Sequence, residues 1–179
     1  MNIPNPKLKA IIRYFCTNTD PNFLGKVKLM KLFYFLDFWH VKRYGTPVTY
    51  DCYVNLEHGP IPSQILNLVN SVVDNEEGAI LSDTICIERP DGTKMQRIRC
   101  IQPFIEEDKK YFSEREMDLL KEVCDKFADK TTKEIEELSH KEAPWKLTKE
   151  TQEIPYTLAA FDPDCLVAEQ DIKLLTDLI

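Results

Sequence analysis

The side chains best suited to acid–base chemistry near neutral pH are three histidines, His40, His58 and His140. No two of them have the His-x-x-x-His spacing that places a pair of metal ligands on one helix face. His40 follows Trp39 at the end of an apolar segment, where a hydrogen-bonded structural histidine is expected. His140 stands where a helix is predicted to end, so we interpret it as a plain surface or capping residue.

Nucleophiles and cofactor motifs give no stronger signal. The six cysteines include no Cys-x-x-Cys pair, so we interpret them as reduced, small residues of the core, not as zinc ligands or disulfides. A Cys–His catalytic pair that meets only in space stays open, although no local signature supports it. The five glycines form neither Gly-x-Gly-x-x-Gly nor Walker spacing, and 30 acidic residues guarantee chance carboxylate pairs. The sequence therefore predicts no catalytic residue, no metal and no cofactor.

Charge and hydropathy narrow the classes of partner. The 179 residues carry 23 basic and 30 acidic side chains, a net charge of −7, which disfavours nucleic-acid binding by the chain alone. The richest apolar stretch, 29–39, has 11 residues and contains Lys31 and Asp37, so it is too short and too polar to span a membrane. The N-terminus lacks the pattern of a signal peptide. We expect a cytoplasmic protein.

The long apolar segment predicts the central element of the fold. Nine of the 11 residues from Leu29 to Trp39 are apolar, which is typical of a helix buried on all sides. We predict this helix from about Lys26 to Tyr44, with Gly45 as its left-handed cap. Its start is set by Pro21 after a capping Asp20, or by Gly25. Asp37 within it must be hydrogen-bonded to neighbouring backbone or to a basic side chain.

The other predicted elements surround this helix. A helix spans 7–16, 48–56 is extended, and Pro60-Ile61-Pro62 opens a helix that continues to Val73. A hairpin turns at 90–93, and capping boxes at Ser113 and Thr131 begin two further helices, the second of which Ala143-Pro144-Trp145 stops. A last helix has Leu166, Ile172, Leu175 and Leu178 as its apolar positions. Nothing divides the chain, so we predict one mostly helical α+β domain over 1–179, with a buried central helix, a small antiparallel sheet and a C-terminal helical extension at 151–179.

Three segments in order carry a family resemblance. They are Lys28-Leu29-Met30-Lys31-Leu32 with Tyr44-Gly45 and Pro47, then Tyr53-x-Asn55-x-Glu57-His58-Gly59-Pro60-Ile61-Pro62, and then Leu138-Ser139-x-x-Glu142-x-x-Trp145. Together they resemble the SocA-like antitoxin or Panacea domain family, which is related to phage-associated GepA proteins, over about residues 7–150. Glu57-His58 replaces the aromatic residues expected before Gly-Pro, and the tail beyond about 155 has no counterpart.

The resemblance implies an antitoxin that neutralises a toxin encoded beside it by direct protein binding, without enzymatic activity. Such a role would make the cognate toxin the partner, and a protease a second partner if the chain delivers its toxin for degradation. His58, Gly59, Pro60 and Trp145 are the candidate partner-binding residues. Gly59 is also expected to supply a backbone conformation that other residues resist, and Trp145 to anchor a loop.

Other functions stay open on the sequence. A proteolytic adaptor, a DNA-binding regulator and an enzyme with dispersed catalytic residues are the alternatives to an occluding antitoxin.

Overall fold

The structure, a computed structural model, describes residues 3–178. Seven α-helices, five strands and two 3-10 turns follow one another in these residues. The helices are α1 (Asn5–Asn18), α2 (Lys26–Tyr44), α3 (Ser63–Val73), α4 (Glu114–Phe127), α5 (Thr132–Ser139), α6 (Ala143–Lys146) and α7 (Glu169–Asp177). The strands are β1 (Tyr53–Leu56), β2 (Gly59–Pro62), β3 (Ile85–Glu88), β4 (Arg97–Cys100) and β5 (Glu153–Ile154), and the 3-10 turns are Glu106–Tyr111 and Tyr156–Phe161.

Helix α2 is the centre of the molecule, and every residue from Lys28 to Lys42 is buried. Its bounds match those predicted, and Gly25, not Pro21, precedes its first residue. Gly45 has φ 79° and its N–H donates to the carbonyl of Val41, so the left-handed cap is confirmed. Because the helix is enclosed on all sides, its few polar side chains must find their partners inside the protein.

Two of these polar side chains connect α2 to neighbouring elements. The Lys28 ammonium donates to the carbonyls of Ala128 and Lys130, just beyond the C-terminus of α4, at 2.9 and 2.6 Å, where a cation also suits the helix dipole. Asp37 accepts bonds from the backbone N–H groups of Val48 and Thr49, each at 2.8 Å. Burial raises the pKa of Asp37 to about 6, although these bonds oppose the rise. The predicted hydrogen bonding of Asp37 is confirmed.

The sheet differs from the predicted pattern at one place. Strands β2, β1 and β5 form an antiparallel sheet in that order, with Leu56 opposite Gly59 and Tyr53 opposite both Pro62 and Ile154. Residues 60–62 were predicted to open a helix, but they lie in β2, and α3 begins only at Ser63. The reason is not local. Pairing with β1 makes residues 60–62 a strand, and Asp51 accepts bonds from the second and third N–H groups of α3, those of Gln64 and Ile65.

Elsewhere, helices and strands that were predicted from short sequence patterns are present in the structure. The β3–β4 hairpin is present, although its strands cover only 85–88 and 97–100. Both capping boxes are confirmed, since the side chains of Ser113 and Thr131 accept from the backbone of Glu116 and Glu134. Residues 143–145, predicted only to stop the preceding helix, form the first residues of α6.

The C-terminal segment is part of the core. Ile154, Ala159 and Ile172 are at most 2% exposed, and the Tyr156 hydroxyl donates to the carbonyl of Asp51 at 2.7 Å. The segment contributes strand β5 and a 3-10 turn as well as helix α7. Leu166, predicted as an apolar position of the last helix, precedes α7 and is 80% exposed.

The cysteines were all predicted to lie in the core, but they differ in burial. All six are free thiols, but only Cys124 is buried and Cys86 is exposed. Cys86 points away from the core because it lies on the outer face of the β3–β4 hairpin, opposite Arg99.

Among the helices of residues 3–178, none is long and apolar enough to cross a membrane.

Candidate functional site

The three sequence segments that carry the family resemblance meet around Gly59. Lys31 comes from α2, Gly59 and Pro60 follow the β1–β2 turn, and Ser139, His140 and Trp145 come from the end of α5 and from α6. We call these six residues, together with the exposed turn Leu56-Glu57-His58, the motif junction. The six residues around Gly59 are its inner part, and the turn is its outer part.

Gly59 is enclosed by polar atoms from two other elements. Its φ is 87°, so the predicted positive φ is confirmed. A Cβ on this residue would lie 2.7 Å from Lys31 Nζ, 2.8 Å from His140 Nε2 and 2.9 Å from Ser139 Oγ. All three distances are too short for a carbon contact. Glycine is therefore required here twice, for its backbone conformation and for the close approach of α2 and α5.

Lys31 is the buried cation of the junction. Its side chain is inaccessible to solvent, and its ammonium donates to the carbonyl of Pro60 at 2.9 Å. Burial lowers the pKa of Lys31 to about 7, and the carboxylate of Glu136 offsets only part of that effect. Lys31 therefore links α2 to the edge strand β2 and holds the turn in place.

Trp145 and His140 form a stacked pair on the other side of Gly59. Their ring centroids are 4.0 Å apart and the planes differ by 16°. His140 is the C-cap of α5, as predicted, but it is half-buried against Trp145 and so is not a plain surface residue. Burial and the nearby Lys31 lower the pKa of His140. The His140 Nε2 and Trp145 Nε1 atoms are buried and have no hydrogen-bond partner among residues 3–178.

Asn55 holds helix α6, which carries Trp145, and the segment that follows it. Its Nδ2 group donates to the carbonyls of Trp145 and Thr148 at 3.1 and 2.9 Å. Strand β1 thereby holds the segment after α6, and the Trp145 ring stays half-buried at the rim of the junction. Trp145 itself lies in α6 and its ring stacks on His140, so the expectation that it anchors a loop stays a prediction.

The turn Leu56-Glu57-His58 is the accessible part. The His58 side chain is 60% exposed, and its Nδ1 lies 3.3 Å from Glu136 Oε1. Leu56 is 37% exposed, although it is a large apolar residue. Two shallow clefts flank the turn, one of about 390 Å³ that Trp145 lines and one of about 410 Å³ that His58 lines.

The four predicted site residues therefore lie close together but differ in access. His58 is exposed and Trp145 is half-buried, whereas Gly59 and Pro60 are buried. Sequence reasoning missed Leu56, Lys31 and Ser139 as parts of this site. For Lys31 a signal existed, because a lysine within a helix that is apolar on every side must have an internal partner.

Two polar side chains of the inner part of the junction are closed to a substrate. Lys31 and Ser139 are both 0% exposed, so neither can touch a substrate in this conformation. Within the described part of the chain, no three His, Cys, Asp or Glu side chains are grouped as they would be to hold a metal ion.

A positive φ alone costs a non-glycine residue about 1–3 kcal/mol. Replacing Gly59 by alanine is expected to lower the free energy of unfolding by more than this amount. The added Cβ must also displace Lys31, His140 or Ser139. Gly78→Ala is the matched control, because Gly78 has φ 77° and its Cβ would meet nothing within 4 Å. Urea denaturation of the two variants measures the difference. Equal losses would show that the close approach at Gly59 has no energetic weight.

Comparison with known proteins gives one family. Residues 29–146 match the family described as antitoxin SocA-like, Panacea domain. The matched range, 118 of 179 residues, runs from α2 to the end of α6 and contains the whole motif junction. A match to this family supports an antitoxin role, a toxin as partner and a function other than catalysis. No curated protein and no solved structure matches the chain.

Proposed function

Because the chain belongs to the antitoxin SocA-like, Panacea domain family, we propose that it neutralises a toxin encoded beside it by forming a direct protein–protein complex. The complex covers the active surface of the toxin. The observation that carries this proposal is the motif junction, where segments that are far apart in sequence support one exposed turn between two clefts. In this view the chain acts in the cytoplasm and performs no catalysis.

We assign different roles to the four candidate residues. His58 and the accessible edge of Trp145 contact the toxin, together with Leu56. Gly59 and Pro60 are buried, so they act by fixing the turn and not by contact. This division agrees with what binding surfaces require, namely a few aromatic or apolar anchors on a rigid support. The net charge of −7 favours a basic toxin.

The proposal is tested with purified components. The adjacent reading frame is expected to encode a protein that stops growth when expressed alone and is harmless when co-expressed with this chain. The purified chain should then inhibit that protein at a one-to-one ratio, with no protease or nucleotide present. His58→Ala should weaken the complex while changing the free energy of unfolding by no more than about 0.5 kcal/mol, because the side chain is exposed.

Each alternative function predicts a different result. If the chain is a proteolytic adaptor, inhibition will be absent from the purified mixture and will return when the protease is added. A DNA-binding regulator would give a tight, salt-sensitive shift of its own upstream DNA by the chain alone. If the neighbouring protein is harmless, or equally toxic with this chain present, the proposed function is wrong.

A further inference from the structure

The cleft beside His58 has an apolar floor built by three elements. Val27 and Met30 come from the first turns of α2, Ile61 from β2 and Leu66 from α3. Leu56 from the turn closes one side. We call this cleft, of about 410 Å³, the Met30 groove. Its volume suits one or two apolar side chains, since ligand pockets begin at roughly 300 Å³.

Strand β2, at the edge of the groove, cannot bind a partner strand in the usual way. Pro60 and Pro62 have no N–H, so Gly59 and Ile61 must supply the donors that pair β2 with β1. The positions whose N–H groups would face outward are therefore the two prolines. The Pro60 carbonyl already accepts from Lys31. A partner must consequently bind here through side chains in the groove, not by adding a strand to the sheet.

Two carboxylates stand between the Met30 groove and the cleft at Trp145. Glu57 and Glu150 line both clefts and both are exposed. Neither carboxylate has a hydrogen bond or an ion pair with any residue between 3 and 178. Two lysines line these clefts, Lys26 in the groove and Lys146 in the cleft at Trp145. Within residues 3–178 neither lysine pairs with either carboxylate, and the amine of Lys26 donates instead to the side-chain oxygen of Asn70. Both carboxylates are therefore free to accept a cation from a partner.

Resting on the proposed function, we propose that the Met30 groove binds a segment of the toxin in which an apolar side chain lies next to a lysine or arginine. The apolar side chain fills the space above Met30 and Ile61, and the cation pairs with Glu57 and Glu150. Such a pairing at the rim of an interface gives specificity and speeds association, and it weakens as salt is added.

Photocrosslinking locates the bound segment. Leu66, which is half-buried in the open groove, is replaced by the photoreactive residue p-benzoylphenylalanine. The variant is mixed with the growth-inhibiting protein of the adjacent reading frame and irradiated. Ile105, 49% exposed in the separate cleft between α1 and α4, is the control position. We expect crosslinks from position 66 alone, to a toxin peptide that has an apolar residue within four positions of Lys or Arg. A crosslink to a second copy of this chain would overturn the proposal.

Charge reversal tests the role of the carboxylates. The double variant Glu57→Lys/Glu150→Lys should raise the dissociation constant about tenfold or more, and should remove most of its salt dependence. The control Glu107→Lys/Asp118→Lys makes the same charge change at exposed carboxylates outside the groove and should stay within about threefold of the wild type.

The results separate this proposal from the proposed function. If the wild-type chain binds and neutralises the toxin, but the Glu57→Lys/Glu150→Lys variant binds as tightly as the control, the groove assignment is wrong and neutralisation by complex formation stands. The same conclusion follows if the crosslinked peptide has no basic residue. If the wild-type chain does not bind the toxin at all, both proposals fail.

Discussion

A chain that ends at Glu150 is expected to lose cooperative folding. The deletion removes three side chains that are at most 2% exposed, Ile154, Ala159 and Ile172, and with them the only strand paired with β1 besides β2 among the described residues. It also removes Tyr156, whose ring packs against Phe38 and Tyr53. Burying each large apolar side chain contributes about 1.5–3 kcal/mol. The total is comparable with the roughly 5–15 kcal/mol by which a domain is stable.

Thermal unfolding followed by circular dichroism measures this effect. The truncated chain should show no cooperative transition. Two point variants on α7 serve as a matched pair. Ile172→Ala removes a fully buried side chain and should lower the free energy of unfolding by about 2–5 kcal/mol. Leu174→Ala removes a side chain that is 60% exposed and should change it by no more than about 0.5 kcal/mol. A truncated chain that unfolds cooperatively near the wild-type temperature would show that residues 151–179 are dispensable for the fold.

Those elements whose signals are local could be predicted from the sequence. Helix α2 was predicted because its apolar run, its basic last turn and Gly45 all lie within 20 residues. The capping boxes at Ser113 and Thr131 act over three residues and were predicted for the same reason. The positive φ of Gly59 was expected from the position of this glycine directly before Pro60, between an extended segment and a predicted helix. Each of these depends on neighbours in the chain alone.

Features that depend on distant residues could not be predicted. Residues 60–62 looked like the start of a helix because prolines are common there, but pairing with β1 makes them a strand. The cap of α3 comes from Asp51, which is 12 residues before Ser63. Likewise, nothing in the sequence near Gly59 shows that Ser139 and His140 approach it from α5, about 80 residues later.

The candidate site also depends on contacts between residues that are distant in the sequence. His58 and Trp145 were chosen from the motifs, but the side chain that supports them, Lys31, lies on a helix that is apolar on every side. Such a helix has no polar face to indicate which way its lysine points. The carboxylates of Glu57 and Glu150, which form no ion pair within residues 3–178, also come together only in space, where both line the same two clefts. Access and pairing, which decide whether a residue can bind a partner, are properties of the folded chain.

A mostly buried ion cluster, in which only Asp164 is exposed, joins the end of α2 to α6 and the C-terminal segment. Lys42 is 3% exposed, and its Nζ lies 2.9 Å from Glu142 Oε1, 2.9 Å from Asp162 Oδ2 and 3.1 Å from Asp164 Oδ1. Burial favours the neutral amine, but the carboxylates of Glu142 and Asp162 outweigh it and raise the pKa of Lys42. Burial also raises the pKa of Glu142, even though Lys42 opposes this. One cation therefore compensates several carboxylates.

Lys42→Met is expected to lower the free energy of unfolding by about 3–5 kcal/mol at pH 7, because buried carboxylates are left without their cation. The pKa of Glu142 should then rise further above its unfolded value. A group with a raised folded pKa binds more protons in the native state, so its cost is relieved as pH falls. The difference in unfolding free energy between Lys42→Met and the wild type should accordingly shrink between pH 7 and pH 5. Adding Glu142→Gln to Lys42→Met should restore part of the loss at pH 7.

Urea denaturation at pH 7 and pH 5 measures the loss and its pH dependence, and an exposed lysine gives the comparison. Lys121 pairs with Asp125 at 2.8 Å, but both side chains are more than 60% exposed, so Lys121→Met should leave the urea midpoint close to that of the wild type. If Lys42→Met costs no more than Lys121→Met, the cluster does not hold the C-terminal segment. If the deficit stays constant from pH 7 to pH 5, the loss comes from packing of the lysine side chain and not from its charge.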